Sequence, residues 1–139
     1  MAFIRRRLAG LTAAAPQDLG TVDPGTDYSV LKAIIARNWA SIAKAGAGTD
    51  VAQRISLTDA NDIIYLDAAD RDYATAEVTL YPTMDDTATG LGTLAVDATG
   101  AAATAGAGND ILVKGTVNVD IINGGTATDY FEIDLIFEV

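Results

Sequence analysis

Residues 111–139 read ILVKGTVNVDIINGGTATDYFEIDLIFEV, and the alternation in this stretch decides the fold class. Ile111, Val113, Val117, Val119 and Ile121 share one side, against Lys114, Thr116, Asn118 and Asp120 on the other. After Asn123-Gly124-Gly125 the pattern resumes. Phe131, Ile133, Leu135, Phe137 and Val139 share a face, and Glu132, Asp134 and Glu138 lie opposite. Successive side chains of a strand point to opposite faces, so a period of two marks strands with one dry and one wet side. Asn-Gly-Gly is turn chemistry, so the two runs are expected to form a long antiparallel hairpin. Gly115 interrupts the first run and is the expected site of a bulge.

Upstream segments extend the β pattern. Val51 to Leu57 alternates, with Val51, Gln53, Ile55 and Leu57 on one side, and Ile63 to Leu66 is a short apolar run. Ala74 to Tyr81 alternates with Ala76, Val78 and Leu80 inward, and Pro82 is expected to end that strand because it has no N–H for a ladder. Leu91 to Val96 reads as a short strand. Residues 28–45 fit two patterns. Leu31, Ile34, Ile35, Trp39 and Ile42 fall on one helical face, with Asp27 as a cap, whereas Val30 to Arg37 is apolar on both faces, as in a central strand. The helix is the slightly favoured expectation. Residues 1–27 carry Pro16 and Asp23-Pro24-Gly25 as turn signals and read as an extended N-terminal arm. The expected architecture is mainly β: an antiparallel β-sandwich or β-barrel over 28–139, an arm over 1–27 and at most one short helix.

Composition narrows the function classes. The chain has 139 residues, no Cys and no His. That length suits one domain with a core of its own. A disulfide framework, a cysteine nucleophile, a Ser-His-Asp triad and a His-ligated zinc site are excluded. Ala, Thr and Gly dominate and aromatics make up only 6%, which favours closely packed β-structure over an aromatic-lined pocket. The net charge of −10 is uneven. Residues 1–54 hold seven bases and four acids, and residues 55–139 hold two bases and fifteen acids. An acidic body does not suit nucleic acid, so no direct nucleic-acid contact is expected. Opposite signs in the two parts allow a head-to-tail attraction between subunits. No apolar run is long enough for a membrane span, and the basic start is followed by too short an apolar run for a signal peptide, so no membrane partner is expected.

The motifs point to no cofactor, catalytic group or metal. Ala45-Gly46-Ala47-Gly48-Thr49-Asp50 recurs as Ala105-Gly106-Ala107-Gly108-Asn109-Asp110, and the second copy with Ile111-Leu112 is similar to one unit of the calcium-binding nonapeptide repeat. Those units bind calcium when stacked in tandem, and these stand sixty residues apart, so a loop feeding a strand is the better reading. Asp67, Asp70 and Asp72, and Asp85 and Asp86, cluster without the spacing of an EF-hand and read as solvated turns. Gly90-Leu91-Gly92 and Gly124-Gly125 lack the Gly-Lys-Ser/Thr ending of a phosphate loop. The candidate partner-binding residues are therefore those of the arm, Phe3, Ile4, Arg5, Arg6, Arg7 and Leu8, together with Trp39. Trp39 suits either a subunit interface or a core position.

Phe3-Ile4-Arg5-Arg6-Arg7, the Ala/Gly stretch Thr99 to Gly108 and the closing run Phe131 to Val139 give the chain, over its whole length, a style that resembles small virion structural proteins of tailed bacteriophages. Within that group it is most similar to head decoration, or cement, proteins. The resemblance implies a protein that binds the major capsid protein, or another virion protein, at subunit junctions, commonly as a homotrimer, and reinforces the shell. Its place would be the virion. Two other classes stay open. One is another phage component (tail tube, connector or fibre domain) or a surface adhesin. The other is an enzyme or small-ligand binder, which would need a cleft with converging carboxylates.

Overall fold

A computed structural model describes residues 2–12, 17–39, 54–67, 77–84, 91–96, 112–122 and 129–139. These hold ten strands: β1 (Phe3–Thr12), β2 (Gln17–Val22), β3 (Tyr28–Trp39), β4 (Arg54–Thr58), β5 (Ile64–Leu66), β6 (Val78–Met84), β7 (Leu91–Val96), β8 (Leu112–Lys114), β9 (Val117–Ile122) and β10 (Asp129–Glu138). They form one hydrogen-bonded ladder in the order β1-β10-β3-β6-β7-β5-β4-β9-β2, with β8 also paired to β3. The ladder folds over into two packed antiparallel layers, a β-sandwich. The fold-over lies at β5 and β7, the one parallel pair among the described strands.

The ladder's two ends meet at β1 and β2, where side chains close the gap. A Cβ added to Gly10 would lie 3.3 Å from Leu19 Cδ1, and one added to Gly20 would lie 3.2 Å from Leu8 Cδ2. Arg6 Nε donates across the same seam to the Asp23 carbonyl at 3.0 Å.

The core is a single cluster fed by both layers. It includes Phe131, Ile133, Leu135 and Phe137 of β10, Val117, Val119 and Ile121 of β9, and Ile34, Ile55, Leu57 and Leu80. All four β10 residues are fully buried, as the period of two requires. Val139, grouped with them by pattern, is half-exposed at the end of the ladder, where it exchanges backbone hydrogen bonds with Ala2.

Four sequence expectations differ from the structure. First, residues 28–39 are strand β3, not a helix. The helical spacing arises from a bulge: Ala33 faces Ile136 and Leu31 faces Phe137, which leaves Lys32 as an extra residue. Leu31 and Ile34 thus both point inward although three residues apart, which imitates a helical period. Second, β9 and β10 are not a hairpin. β9 pairs with β4 and β2, and β10 pairs with β1 and β3, so they face one another from opposite layers. Third, the expected arm supplies β1 and β2. β1 pairs with β10 in unbroken register from Phe3↔Glu138 to Thr12↔Asp129. Fourth, β6 runs through Pro82 to Met84. β3 accompanies β6 only as far as Leu80, so among the described strands β7 alone pairs at Pro82, the one-sided setting in which proline is tolerated.

Gly115 is a corner rather than a bulge. Its φ is +65°, and the chain changes layer there, from β8 beside β3 to β9 beside β4. The corner is anchored by Asp59, in the turn between β4 and β5. Asp59 Oδ1 accepts the N–H of Asn61 at 2.9 Å and of Ile63 at 3.0 Å, and Oδ2 accepts the N–H of Lys114 at 3.0 Å. Asp62 takes the left-handed conformation in the same turn, which Asp tolerates. Buried Tyr65 is pushed up to about 12 by burial first and by the charge of Asp59 second.

An alanine at 115 would need a left-handed backbone and would put its Cβ 3.2 Å from the Ala60 Cβ. Gly115→Ala is expected to cost about 1–2 kcal/mol from the backbone alone and to lower the melting temperature by roughly 3–8 °C. Thermal denaturation followed by circular dichroism checks this, and an unchanged midpoint would show that the corner relaxes.

Candidate functional site

The outer face of the layer formed by β1, β10, β3, β6 and β8 carries Phe3, Arg5 and Arg7 of the candidate residues. Cross-strand partners share a face, so the register gives its rows. One row runs Arg7, Asp134, Ile35, Thr79. The next toward the β1 N-terminus runs Arg5, Ile136, Ala33, and the last runs Phe3, Glu138, Val30, Leu112. In the opposite direction Ala9, Glu132 and Arg37 form a row, with Glu77 at its margin.

Asp134 is the centre of this face. Its side chain is only 6% exposed, although it stands on the side that alternation marks as wet. Arg7 Nε donates to Oδ1 at 2.8 Å and Arg7 Nη2 to Oδ2 at 3.0 Å, a two-pronged grip. Arg5 Nη2 also donates to Oδ2. Arg7 reaches Glu132 Oε1 as well, at 2.6 Å. The hydrogen bonds from Arg7, followed by those and the charge of Arg5, outweigh burial and hold the Asp134 carboxyl down at about 2. The same contacts raise both guanidiniums above the ordinary arginine value. Between these groups lies a shallow concavity of about 230 Å³ with Ile35 among its lining residues. All three donors reach from β1 to the one carboxylate on β10, so the arrangement holds the two strands together.

The end of the face near the β1 N-terminus exposes three large apolar or aromatic side chains beside Glu138 and Lys114. Phe3 is 65% exposed, Leu112 57% and Tyr28 52%. Half-buried Val30 and Ile136 lie among them. Lys32, displaced by the bulge, pairs with Glu138 at 3.5 Å. At the far end Tyr130 is exposed and faces Trp39 in the register.

Of the candidate partner-binding residues, the structure puts Phe3, Arg5 and Arg7 on this face. Ile4 and Leu8 stand opposite Phe137 and Ile133 on the inner side of β1, and Leu8 packs on the core. Arg6 is turned to the β1–β2 seam. For Trp39 the backbone position in β3 is described and the side chain lies outside the described residues.

The paired Ala/Gly motifs, Asp70, Asp72, Asp85, Asp86 and the Asn123-Gly124-Gly125 turn also lie outside the described residues. Asp67 is buried, and its N–H donates to the Ile55 carbonyl at 2.9 Å. Among the described residues no three acids converge as a metal site. Sequence reasoning missed Asp134 and Asp59. For Asp59 a signal exists, since Asp59-Ala60-Asn61-Asp62 is turn composition between two apolar runs. For Asp134 none exists, because burial follows from the register of a strand more than a hundred residues away in sequence.

No family model, curated protein or solved structure matches this chain.

Proposed function

We propose that this is a virion structural protein of the capsid decoration type, which binds at junctions between shell subunits and strengthens the shell. The observation that carries the proposal is the outer sheet face just described. On it Phe3, Leu112 and Tyr28 are exposed at one end, beside Glu138 and Lys114. Contiguous exposed apolar groups on a polar surface mark sites of protein contact. The whole-chain resemblance to small phage virion proteins supplies the class of particle. The charge supports a protein partner over nucleic acid, since the chain carries 19 acids against 9 bases. A sandwich whose β1 is clamped to β10 by Arg5, Arg7 and Asp134 presents its contact residues on a rigid strand, which limits the ordering cost of binding. A protein that binds only the assembled shell stabilises it by mass action.

The test is cosedimentation of the purified chain with expanded empty heads of the phage whose genome encodes it. The expected result is saturable binding at a fixed ratio to the shell subunit, with a higher rupture temperature for the heads. No binding, or binding with unchanged rupture, would overturn the proposal.

A further inference from the structure

We infer that the free edge of β1 accepts an extended acidic segment of another protein as an added antiparallel strand. The edge is a contact separate from the outer face, and the inference does not rest on the shell reading.

The backbone supplies the docking groups. The Ala2 N–H donates to the Val139 carbonyl at 3.2 Å and the Val139 N–H to the Ala2 carbonyl at 2.9 Å, so these two residues exchange both bonds. Such pairs alternate along an antiparallel ladder, and the β1–β10 register is unbroken. Ile4, Arg6, Leu8 and Gly10 therefore turn their N–H and C=O groups to β10, and Phe3, Arg5, Arg7 and Ala9 turn theirs the other way. On that side no described strand pairs with β1. β2 does not fill the place. Its close approaches are to Leu8 and to the Cβ direction of Gly10, which point into the sandwich. β2 thus lies beneath β1 and not in the plane of the spare backbone groups. Phe3, Arg5, Arg7 and Ala9 are all exposed. Unpaired donors and acceptors along an exposed edge are a template for a further strand.

Charge names the occupant. β1 carries Arg5, Arg6 and Arg7 and no acid. The side chains of Arg5 and Arg7 remain 57% exposed although both hold Asp134. Arg5 uses Nη2 for that contact, which leaves its Nε and Nη1 without a partner among the described residues. An added strand sets one residue directly opposite each of these arginines on the outer side, where a carboxylate is favoured and an ammonium disfavoured. A second copy offering its own β1 would set arginines against arginines. The residues that attract an acidic strand therefore also keep copies of the chain from pairing edge to edge.

The probe is the end-blocked peptide Val-Thr-Glu-Thr-Glu-Thr-Val, whose glutamates fall opposite Arg7 and Arg5 when its first residue lies opposite Ala9. Titration of the full chain by NMR, with amide hydrogen exchange, reads the contact. In the free chain the amides of Arg5, Arg7 and Ala9 are expected to exchange fast and those of Ile4, Arg6 and Leu8 slowly. The peptide is expected to protect the fast set. The same peptide with lysine for glutamate is expected to bind roughly tenfold more weakly. A version N-methylated at both glutamates, whose amides would face β1, is expected not to bind. Ala9→Pro removes an N–H that β10 does not use and obstructs the edge, so it is expected to melt like the wild type and to lose the peptide. Should that variant fail to fold, the N-methylated peptide makes the same test on the wild type. Slow exchange of Arg5, Arg7 and Ala9 in the free chain would overturn the inference, as would no binding, equal binding of the acidic and basic peptides, or undiminished binding of the N-methylated one. A solution mass that doubles with concentration and reverts in Ala9→Pro would give the edge to a second copy and overturn it too. None of these measurements uses shells, so their outcome is independent of the capsid proposal.

Discussion

Leu135→Asp is expected to leave no cooperatively folded protein at room temperature. Leu135 is fully buried near the middle of β10, opposite Ile34 of β3. The substitution removes a leucine from a packed core, which costs about 2–5 kcal/mol. It also puts a carboxylate there with no partner, which adds several kcal/mol whether the group stays charged or takes up a proton. The sum is on the order of the whole stability of a domain this size. The neighbouring Ile136→Asp turns its charge to the outer face, opposite Arg5, and is expected to cost only about 1 kcal/mol. Denaturant titration of the two variants reads the period of β10 directly. A normal transition for Leu135→Asp, or equal losses for both, would show that β10 does not divide dry from wet in this way.

That division was legible in the sequence because it is local. Phe131, Ile133, Leu135 and Phe137 alternate without interruption, and no partner strand has to be known to see it. β4 was legible for the same reason, whereas β5 and β7 showed only as a short apolar run and a short strand. What escaped depends on register. The bulge at Lys32 changed the inward spacing of β3 from two to three, and a period of three to four is what a helix shows. Gly115 and the chain after Ile122 looked like a bulge and a hairpin turn, yet β8, β9 and β10 go to different neighbours. Turn chemistry fixes that the chain bends and leaves open which strand it meets afterwards. The face had the same fate. The sequence offers Arg5 and Arg7 as partner-binding residues of an extended arm. Their partner is visible only once Arg7 is known to lie opposite Asp134. Burial of an acid on the polar side of an alternating strand has no local signature, because it is the neighbouring long side chains that cover it.

The clamp around Asp134 is expected to show an asymmetry that an ordinary surface ion pair does not have. The two arginine side chains are each 57% exposed, whereas that of Asp134 is 6% exposed. Asp134→Asn returns the guanidiniums to water and keeps an acceptor in place, so its expected cost is about 1 kcal/mol. The double variant Arg5→Met/Arg7→Met keeps long side chains over the carboxylate and removes both cations, and the penalty on Asp134 is expected to reach about 2–4 kcal/mol. Acid dependence separates the two cases by sign. In the wild type the folded Asp134 carboxyl lies at about 2, below its ordinary 3.8, so the folded state binds its proton less readily than the unfolded state does. The stability it contributes is fully present above pH 4 and is lost as pH falls toward 2. Allowing for solvent around the exposed guanidiniums, that contribution is about 1–2 kcal/mol. In the double variant burial acts alone and raises the carboxyl above its ordinary value. The penalty is then present at neutral pH and is relieved as acid protonates the group. Between neutrality and pH 4 the wild type is therefore expected to hold the contribution from Asp134, and the double variant to recover part of its deficit. Urea titrations at several pH values measure the gap between them. A gap that stays constant or widens on acidification would show that Asp134 is solvated without its arginines, and that the clamp contributes little to the hold of β1 on β10.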